Sequence, residues 1–197
     1  MRVLSDVDGR VARRRRNREA VVDAVVGLLG EGVVDPSLQQ VTERSGVSAR
    51  SIFRYFDGLD DMRAAVLAEV GGRTAELFAP VPGGGPFEER VSRLLSARIA
   101  GFERAAGVAR VGRLREHQVP VIADRLEQAR AALRVQAAAA LEPELGAQPE
   151  AVAAEVEVAV DVLLSFESWD LCTRVRGLSA EQTRRVWSRA LIKLLAA

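Results

Sequence analysis

Cysteine, histidine and lysine are almost missing from this chain of 197 residues, each occurring once. A single cysteine, Cys172, excludes a disulfide within the chain, and with His117 as the one histidine there is no cluster of zinc ligands. No stretch approaches the about 18 consecutive apolar residues that a membrane-spanning helix needs, and the charged N-terminus is unlike a secretory signal. We therefore expect a soluble, cytoplasmic protein with no metal, no other cofactor and no membrane partner.

The chain also has little net charge, +1 at pH 7, so its overall balance does not indicate a nucleic-acid partner. Its basic residues are nevertheless concentrated near the N-terminus, where six arginines and no acid fall between positions 10 and 18. We expect residues 1–16 to form a flexible basic arm. A run of this kind is either merely solvated or an arm that contacts phosphates.

Almost every segment repeats its apolar residues at the 3.6-residue period of a helix, and none has the alternation of a strand. The predicted fold class is therefore all-α, with about nine helices in a three-helix N-terminal unit and a larger bundle. The Gly71–Gly72 pair is expected to bend or break the fourth helix, because interior glycines cost about 1 kcal/mol each relative to alanine. The predicted helices span about 17–29, 37–45, 48–56, 58–78, 87–105, 108–118, 120–142, 150–175 and 179–195.

The short segment between Gly46 and Gly58 has two unlike faces. At 100° per residue, an apolar side formed by Ile52 and Phe56 lies opposite a polar side. The polar side consists of Arg50, Ser51 and Arg54. Gly46 permits a sharp reversal from the preceding helix, because a left-handed conformation costs glycine little. This pattern predicts a helix-turn-helix whose second helix fits the DNA major groove; the alternative is an ordinary helical hairpin with a solvated polar face.

The stretch VTERSGVSARSIFRYFDGLDDM, from Val41 to Met62, resembles the tetracycline-repressor (TetR) family of bacterial transcription regulators. The likeness lies in the Gly-Val turn, the short helix ending in an aromatic pair, and the fourth helix that follows. The C-terminal part resembles the family in length, helix count and its closing segment GLSAEQTRRVWSRALIKLL. By this resemblance residues 17–58 form a helix-turn-helix DNA-binding domain, and residues 59–197 form a domain for ligand binding and dimerisation.

The resemblance implies a homodimer that binds a near-palindromic DNA operator, one recognition helix per half-site, and acts as a repressor released by a small-molecule effector. The residues expected to face bases are Ala49, Arg50, Ser51 and Arg54, with Gln39 added from the second helix. Those expected nearer phosphates are Ser37, Ser48, Phe53 and Tyr55, together with Arg13, Arg14, Arg15 and Arg16 of the arm.

One departure from the family concerns the start of the fourth helix. Family members commonly carry there a lysine that grips a phosphate, whereas this chain has Leu59 followed by Asp60 and Asp61. The departure puts one backbone anchor in doubt, and we expect the arginine arm to compensate for it.

The last two predicted helices, about 150–175 and 179–195, carry more apolar surface than one packing face needs. In the first of them a second apolar stripe consists of Val158, Val162, Phe166 and Trp169. A helix that is apolar on two sides packs against two partners, so we expect a twofold four-helix interface between two subunits. The alternative is a thick monomeric core.

The sequence gives fewer indications of the effector site than of the DNA-binding site. The candidates are Phe102, Phe166 and Trp169 as the wall of a cavity, with Arg113 and His117 as polar contacts. Core packing is the alternative for each aromatic residue, and a surface or capping position for the histidine.

Two further classes of function are alternatives to this interpretation. We do not expect an enzyme, because the sequence has no Ser-His-Asp, Cys-His or phosphate-loop pattern. A helical small-molecule carrier or protein-interaction module with a degenerate DNA-binding unit is the second alternative, which the missing lysine at position 59 favours.

Overall fold

The structure is a computed structural model that describes residues 3–33, 35–80 and 84–195, and over these ranges it contains helices and no strand. The all-α prediction with about nine helices is confirmed. The helices are α1 (Val3–Gly30), α2 (Leu38–Ser45), α3 (Ala49–Tyr55), α4 (Leu59–Thr74), α5 (Phe87–Arg115), α6 (Pro120–Gly146), α7 (Glu150–Leu163), α8 (Phe166–Asp170) and α9 (Ala180–Leu195). A 3-10 turn, Ala75–Phe78, follows α4, and a π-helical turn, Leu171–Val175, follows α8.

The chain divides into two compact units, and long helices contribute residues to both. The first unit contains the described residues up to Arg73 together with Ala105–Glu127. The second contains Thr74–Arg104 and the described residues from Gln128 onwards. The division expected from the sequence placed all residues after 58 in one C-terminal domain, whereas α4 and parts of α5 and α6 pack with the N-terminal helices.

The core of the first unit forms around the apolar stripe of α1. Val21 and Val25 of this stripe are buried against residues of α2, α3, α4 and α5. The buried members of the cluster include Leu28, Leu29, Val41, Val47, Ile52, Phe56, Met62, Val66 and Val108. In the second unit, Leu94, Leu141, Leu164, Trp187 and Leu191 are all fully buried.

The N-terminal arm corrects one expectation, because α1 begins at Val3 and not near Asn17. The arginine-rich stretch is therefore helical. Arginine is a good helix former, and no proline interrupts the segment, so the helix continues towards the N-terminus.

Helix α5 corrects a second expectation, because Gly107 was predicted to separate two helices and instead lies inside one. A Cβ atom placed on Gly107 would lie 2.5 Å from the carbonyl oxygen of Leu29 and 2.7 Å from its carbon. Such an approach of two backbones leaves room only for glycine. Close packing of α5 on α1 therefore explains Gly107, and the glycine does not mark the end of a helix.

The predicted helix 150–175 is interrupted, which corrects a third expectation. Helix α7 ends at Leu163, and Ser165 caps α8 by accepting a hydrogen bond from the backbone N–H of Ser168 at 3.0 Å. The apolar stripe expected from Val158 to Trp169 is split by this change of direction.

Helices α4 and α6 differ from expectation at their ends. Helix α4 runs through Gly71 and Gly72 without interruption and changes to a 3-10 turn only at Ala75, so the predicted break lies a few residues too early. Helix α6 continues past Pro143, expected as a separator, and ends at Gly146. None of the helices in the described ranges is long and apolar enough to cross a bilayer.

Candidate functional site

Helix α2 is started by a capping box. The hydroxyl oxygen of Ser37 accepts a hydrogen bond from the backbone N–H of Gln40 at 3.2 Å, and the Ser37 N–H donates to the Gln40 side-chain oxygen at 2.8 Å. Both Ser37 and Gln39 are exposed, and the Gln39 amide donates to Glu43 at 2.8 Å on the same helix. The outer side of α2 is therefore polar and open to solvent.

A left-handed glycine then reverses the chain. Gly46 has φ 68° and ψ 9°, and its N–H donates to the carbonyl oxygen of Thr42 at 3.0 Å, which closes the end of α2. Val47 after it is buried in the core of the first unit. The short connection and the positive φ angle confirm the predicted helix-turn-helix geometry.

A bidentate ion pair fixes α2 on the end of α1. The Arg44 guanidinium donates to both carboxylate oxygens of Glu31, each at 2.6 Å. These hydrogen bonds lower the pKa of Glu31. Both side chains lie at the surface, so the pair orients the two helices and contributes little to stability.

Helix α3 separates an inner from an outer side. Ile52 and Phe56 are buried, as predicted, whereas Arg50, Phe53 and Arg54 lie on the outer side. Phe53 keeps 59% of its surface open to solvent. Within the described residues Arg50 makes no hydrogen bond or ion pair, so its guanidinium donors face water. This side of α3 presents two arginines and a ring in a form that a duplex can contact.

The N-terminus of α3 has no side-chain cap. Ser48 lies at the N-cap position, but its hydroxyl hydrogen-bonds the hydroxyl of Ser51 at 3.2 Å and does not cap a backbone N–H. Ser48 and Ala49 are exposed or nearly so, and Ser51 is half-buried. The first-turn N–H groups without an intrahelical acceptor therefore remain available to an anion.

Tyr55, which was expected to lie near phosphates, is buried. Its hydroxyl oxygen accepts hydrogen bonds from Asn17 Nδ2 at 3.0 Å and from Arg54 at 3.1 Å. The donors lower the pKa of Tyr55, the Asn17 bond most. Tyr55 thus ties α3 to α1 and sets the direction of the Arg54 side chain, whose guanidinium carbon lies 5.2 Å from the tyrosine ring centre.

Two residues of α1 that the sequence did not single out hold the end of α3. Asn17 binds the Tyr55 hydroxyl, and Arg18 donates to the Tyr55 carbonyl oxygen at 2.8 Å. The Arg18 guanidinium carbon also lies 4.4 Å from the centre of the Phe56 ring, which is cation–π distance. Asn17 and Arg18 lie four positions before the buried residues Val21 and Val22, so they are on the same side of α1, one helical turn earlier. Extending the apolar stripe by that turn would have identified them from the sequence.

The four arm residues of the DNA-binding prediction are exposed on α1. They are Arg13, Arg14, Arg15 and Arg16. Arg15 forms an ion pair with Glu19 at 3.1 Å. Successive residues of a helix are turned by 100°, so four consecutive arginines point to all sides, and only some of them can meet one partner surface at a time.

The acids at the start of α4 have intramolecular partners. Asp61 accepts a hydrogen bond from the backbone N–H of Asp57 at 3.1 Å, and Asp60 pairs with Arg63 at 2.9 Å. Arg63 also binds Asp35, in the connection between α1 and α2, at 2.9 Å. Leu59 is exposed and contributes no charge.

The aromatic candidates for an effector site come together in the second unit. The ring of Phe102 lies 5.5 Å from that of Phe166 and 6.0 Å from that of Trp169, and the last two are 5.4 Å apart. Phe78 joins them at 5.8 Å from Phe102. Phe102, Phe166 and Trp169 are buried, so these rings form an aromatic cluster packed on itself.

The polar candidates for that site are not part of the aromatic cluster. Arg113 and His117 belong to the first compact unit. Arg113 donates to the carbonyl oxygen of Ala109 on its own helix at 3.3 Å. The His117 side chain is 88% exposed in the turn after α5, 3.8 Å from Glu116. The polar candidates and the aromatic ones therefore belong to different compact units.

The helices expected at a subunit interface show one buried and one exposed apolar side. On α7, Val158 and Val162 keep 65% and 68% of their surface exposed. Phe166 and Trp169, expected on the same stripe, turn inwards after the break at residue 165. On α9 the buried side consists of Thr183, Trp187, Leu191 and Leu195, and Val186 is exposed.

Comparison with known proteins relates this fold to a solved structure. No protein-family model matches the chain, and no curated protein is significantly similar to it in sequence. The fold is similar to the crystal structure of a transcriptional regulator from Rhodococcus sp. Rha1, with a TM-score of 0.70 and 19% sequence identity. The match covers 93% of this chain and 96% of that chain. At this identity the likeness establishes a shared fold over nearly the whole length of both proteins.

Proposed function

We propose that this chain is a ligand-responsive transcription regulator of the TetR type, a cytoplasmic repressor that binds a palindromic operator as a homodimer. The observation that carries the proposal is the outer side of α3. Arg50 and Arg54 lie there, while Ile52, Tyr55 and Phe56 anchor the opposite side in the core. A short helix held outwards in this way fits the major groove.

The two arginines differ in how far they are prepared for base recognition. Arg54 is held against Tyr55 by a hydrogen bond and by the ring, so its guanidinium is already partly oriented. Arg50 has no partner among the described residues and takes its final direction on DNA. Each guanidinium can donate two hydrogen bonds to guanine O6 and N7, and Ala49 and Ser51 lie beside them.

Contacts with phosphates surround this reading side. We assign them to Ser37 and Ser48, to the ring edge of Phe53, and to arginines of the helical N-terminal segment, while Gln39 adds to the base-reading side from α2. Because Leu59 replaces the usual lysine, the N-terminal arginines supply a larger share of the sequence-independent attraction. Tyr55 acts through Arg54 and α1 and does not itself touch a phosphate.

The second subunit is placed against α7 and α9. Val158, Val162 and Val186 expose apolar surface on these helices, and burial of such a patch favours association. A twofold axis through this surface would give two reading helices, one for each half of a palindrome. The proposed effector binds in the second unit, and the proposed activity is binding without catalysis.

A helical carrier without DNA-binding activity is the second candidate, and it is favoured by the start of α4. Leu59 is exposed where a cation would grip the backbone, and Asp60 and Asp61 add negative charge beside it. A gel-shift assay with the DNA upstream of its own gene separates the two candidates. A carrier gives no sequence-selective, salt-sensitive shift.

Selection of bound DNA from a random pool tests the proposed function directly. We expect an inverted repeat whose half-site centres are separated by a whole number of helical turns, about 10 bp each. The doubly substituted Arg50→Ala/Arg54→Ala chain serves as the control and should enrich no consensus. Recovery of random sequences by the unsubstituted chain would contradict the proposal.

A further inference from the structure

The outer side of α7 combines exposed apolar surface with one acid that has no partner. Val152 and Val158 are both exposed, and Glu155 lies between them in the sequence, three residues from each. On a helix this spacing places the three side chains on one side. Glu155 is itself exposed and makes no hydrogen bond or ion pair with any other described residue.

The outer side of α9 repeats this arrangement with the opposite charge. Val186 and Ile192 are exposed, and Arg189 lies between them at the same spacing of three residues. Arg189 is exposed and has no partner in the part of the chain that the structure describes. Each helix therefore presents one free charge between two apolar side chains, negative on α7 and positive on α9.

The difference in charge extends along both helices. Helix α7 carries four acids and no basic residue, a net charge of −4. Helix α9 carries four basic residues and one acid, a net charge of +3. The two helices contact each other within the subunit, yet no ion pair joins them in the described ranges. Their outer charges are thus left for another surface.

Twofold symmetry allows these helices to meet a second subunit in two ways. Like helices can face each other, so that α7 lies on α7 and α9 on α9. Unlike helices can face each other, so that α7 of each subunit lies on α9 of the other. The first way opposes charges of the same sign at both contacts, which is destabilising, and the second opposes charges of opposite sign at both.

We propose that α7 of one subunit packs on α9 of the other, and that Glu155 and Arg189 form an ion pair across the interface at both symmetry-related contacts. The occupant of both outer sides is a second copy of this chain. The apolar side chains on either side of each charge exclude water from the pair, and a shielded pair attracts more strongly than one in bulk water. The inference rests on the proposed homodimer and assigns the pairing of its helices.

The ion pair sets which surfaces can associate. The exposed apolar residues supply most of the favourable free energy of association, because their burial removes apolar surface from water. A charge at an interface adds selectivity more than affinity, since a partner with the wrong charge leaves it desolvated and unpaired. Glu155 and Arg189 therefore determine which helix faces which, and they disfavour a partner that lacks either charge.

The first test needs no variant. Analytical ultracentrifugation of the full chain at pH 7 measures the dimer dissociation constant in about 50 mM and about 500 mM sodium chloride. Because salt screens charges, opposite charges across the interface should make this constant rise at least threefold, whereas like charges would make it fall. A constant that falls or does not change, or a chain that stays monomeric, would overturn the proposal.

Two charge reversals identify the pair. Glu155→Arg sets two arginines against each other at each contact, and Arg189→Glu sets two glutamates against each other. Each should raise the dissociation constant at least tenfold. An equimolar mixture of the two variants should form a heterodimer, because each contact then joins an arginine to a glutamate. Single reversals without effect, or a mixture that stays monomeric, would refute the assigned pairing.

The matched control is a charge reversal elsewhere on α7. Glu157 lines a groove between α6 and α7 and does not belong to the outer side. Glu157→Arg should change the dissociation constant less than threefold. An effect as large as that of Glu155→Arg would mean that only the total charge of α7 matters and that the assigned pair is wrong. Far-UV circular dichroism checks that every variant keeps its helices.

A gel-shift with the selected operator separates this inference from the proposed function. A chain that binds the operator as a dimer, but whose single reversals leave the dimer unchanged, keeps the regulatory function and loses the helix pairing. A chain whose two reversed variants form a heterodimer, but which binds no DNA, keeps the helix pairing and loses the regulatory function.

Discussion

Gly107 lies where α5 meets the C-terminal end of α1, and an alanine there meets the backbone. Its Cβ would lie 2.5 Å from the Leu29 carbonyl oxygen, and a backbone atom cannot move aside as a flexible side chain can. Gly72 on α4 provides the matched control, because it is also inside a helix but exposed, with no heavy atom within 4 Å of an added Cβ.

The magnitude follows from two opposing effects. Replacing an interior helix glycine by alanine stabilises a helix by about 1 kcal/mol, and this gain is shared by both positions. Overpacking costs about 1–3 kcal/mol and applies to Gly107 alone. Gly72→Ala should therefore raise the free energy of unfolding by about 1 kcal/mol. Gly107→Ala should be less stable than Gly72→Ala by about 1–3 kcal/mol.

Urea denaturation of the two variants measures this difference, at equal protein concentration because the proposed dimer would unfold with a concentration-dependent midpoint. Thermal unfolding gives a second reading, because 1 kcal/mol corresponds to about 2–4 °C in a chain of this length. If Gly107→Ala gains as much stability as Gly72→Ala, the two backbones are not in contact and the packing of α5 on α1 described above is wrong.

The remaining two predictions concern α1, which holds α3 in place through Tyr55 and carries the N-terminal arginines. Tyr55→Phe removes an acceptor for Asn17 and Arg54 and should lower the free energy of unfolding by about 1 kcal/mol in urea denaturation; an unchanged free energy of unfolding would show that these hydrogen bonds do not hold α3 on α1. Deletion of residues 1–15 should flatten the dependence of log affinity on log salt, by about 0.9 for each phosphate that these residues neutralise, and an unchanged slope would show that these arginines are only solvated.

The helix-turn-helix could be predicted because its signals are local. The capping box of Ser37 and Gln40 lies within four residues, and the left-handed Gly46 closes α2 through its own neighbours. The apolar side of α3 was also correct for Ile52 and Phe56. Such features depend on sequence spacing alone, so the sequence contains what is needed to find them.

Tyr55 and Gly107 could not be placed in this way, because their roles depend on distant partners. The sequence pattern of α3 identifies Ile52 and Phe56 as its apolar side, and only the contacts with Asn17 and Arg18 of α1 show that Tyr55 is covered as well. A glycine inside a helical pattern indicates either an end or a close approach, and the Leu29 carbonyl that decides between them is far away in the sequence.

Arg98, a buried arginine of α5, was missed although the sequence holds a signal for it. It follows the buried Leu94 by four residues and precedes the buried Phe102 by four, so a charged residue interrupts an apolar stripe. Its hydrogen-bond acceptors lie on α6 and at the end of α7, which no pattern within α5 can reveal. The polar effector candidates Arg113 and His117 were chosen without this tertiary information, and they belong to the other compact unit.

The central claim is that the exposed side of α3 reads bases, and Arg50→Ala tests it most directly because Arg50 has no other partner among the described residues. Affinity is measured for the selected operator and for random DNA at one salt concentration, with Arg104→Ala as the control that removes the same charge from an exposed position on α5. We predict that Arg50→Ala loses about 1–3 kcal/mol on the operator and much less on random DNA, and that Arg104→Ala loses little on either. An equal loss by Arg50→Ala on both DNAs, or no loss on the operator, would contradict the account.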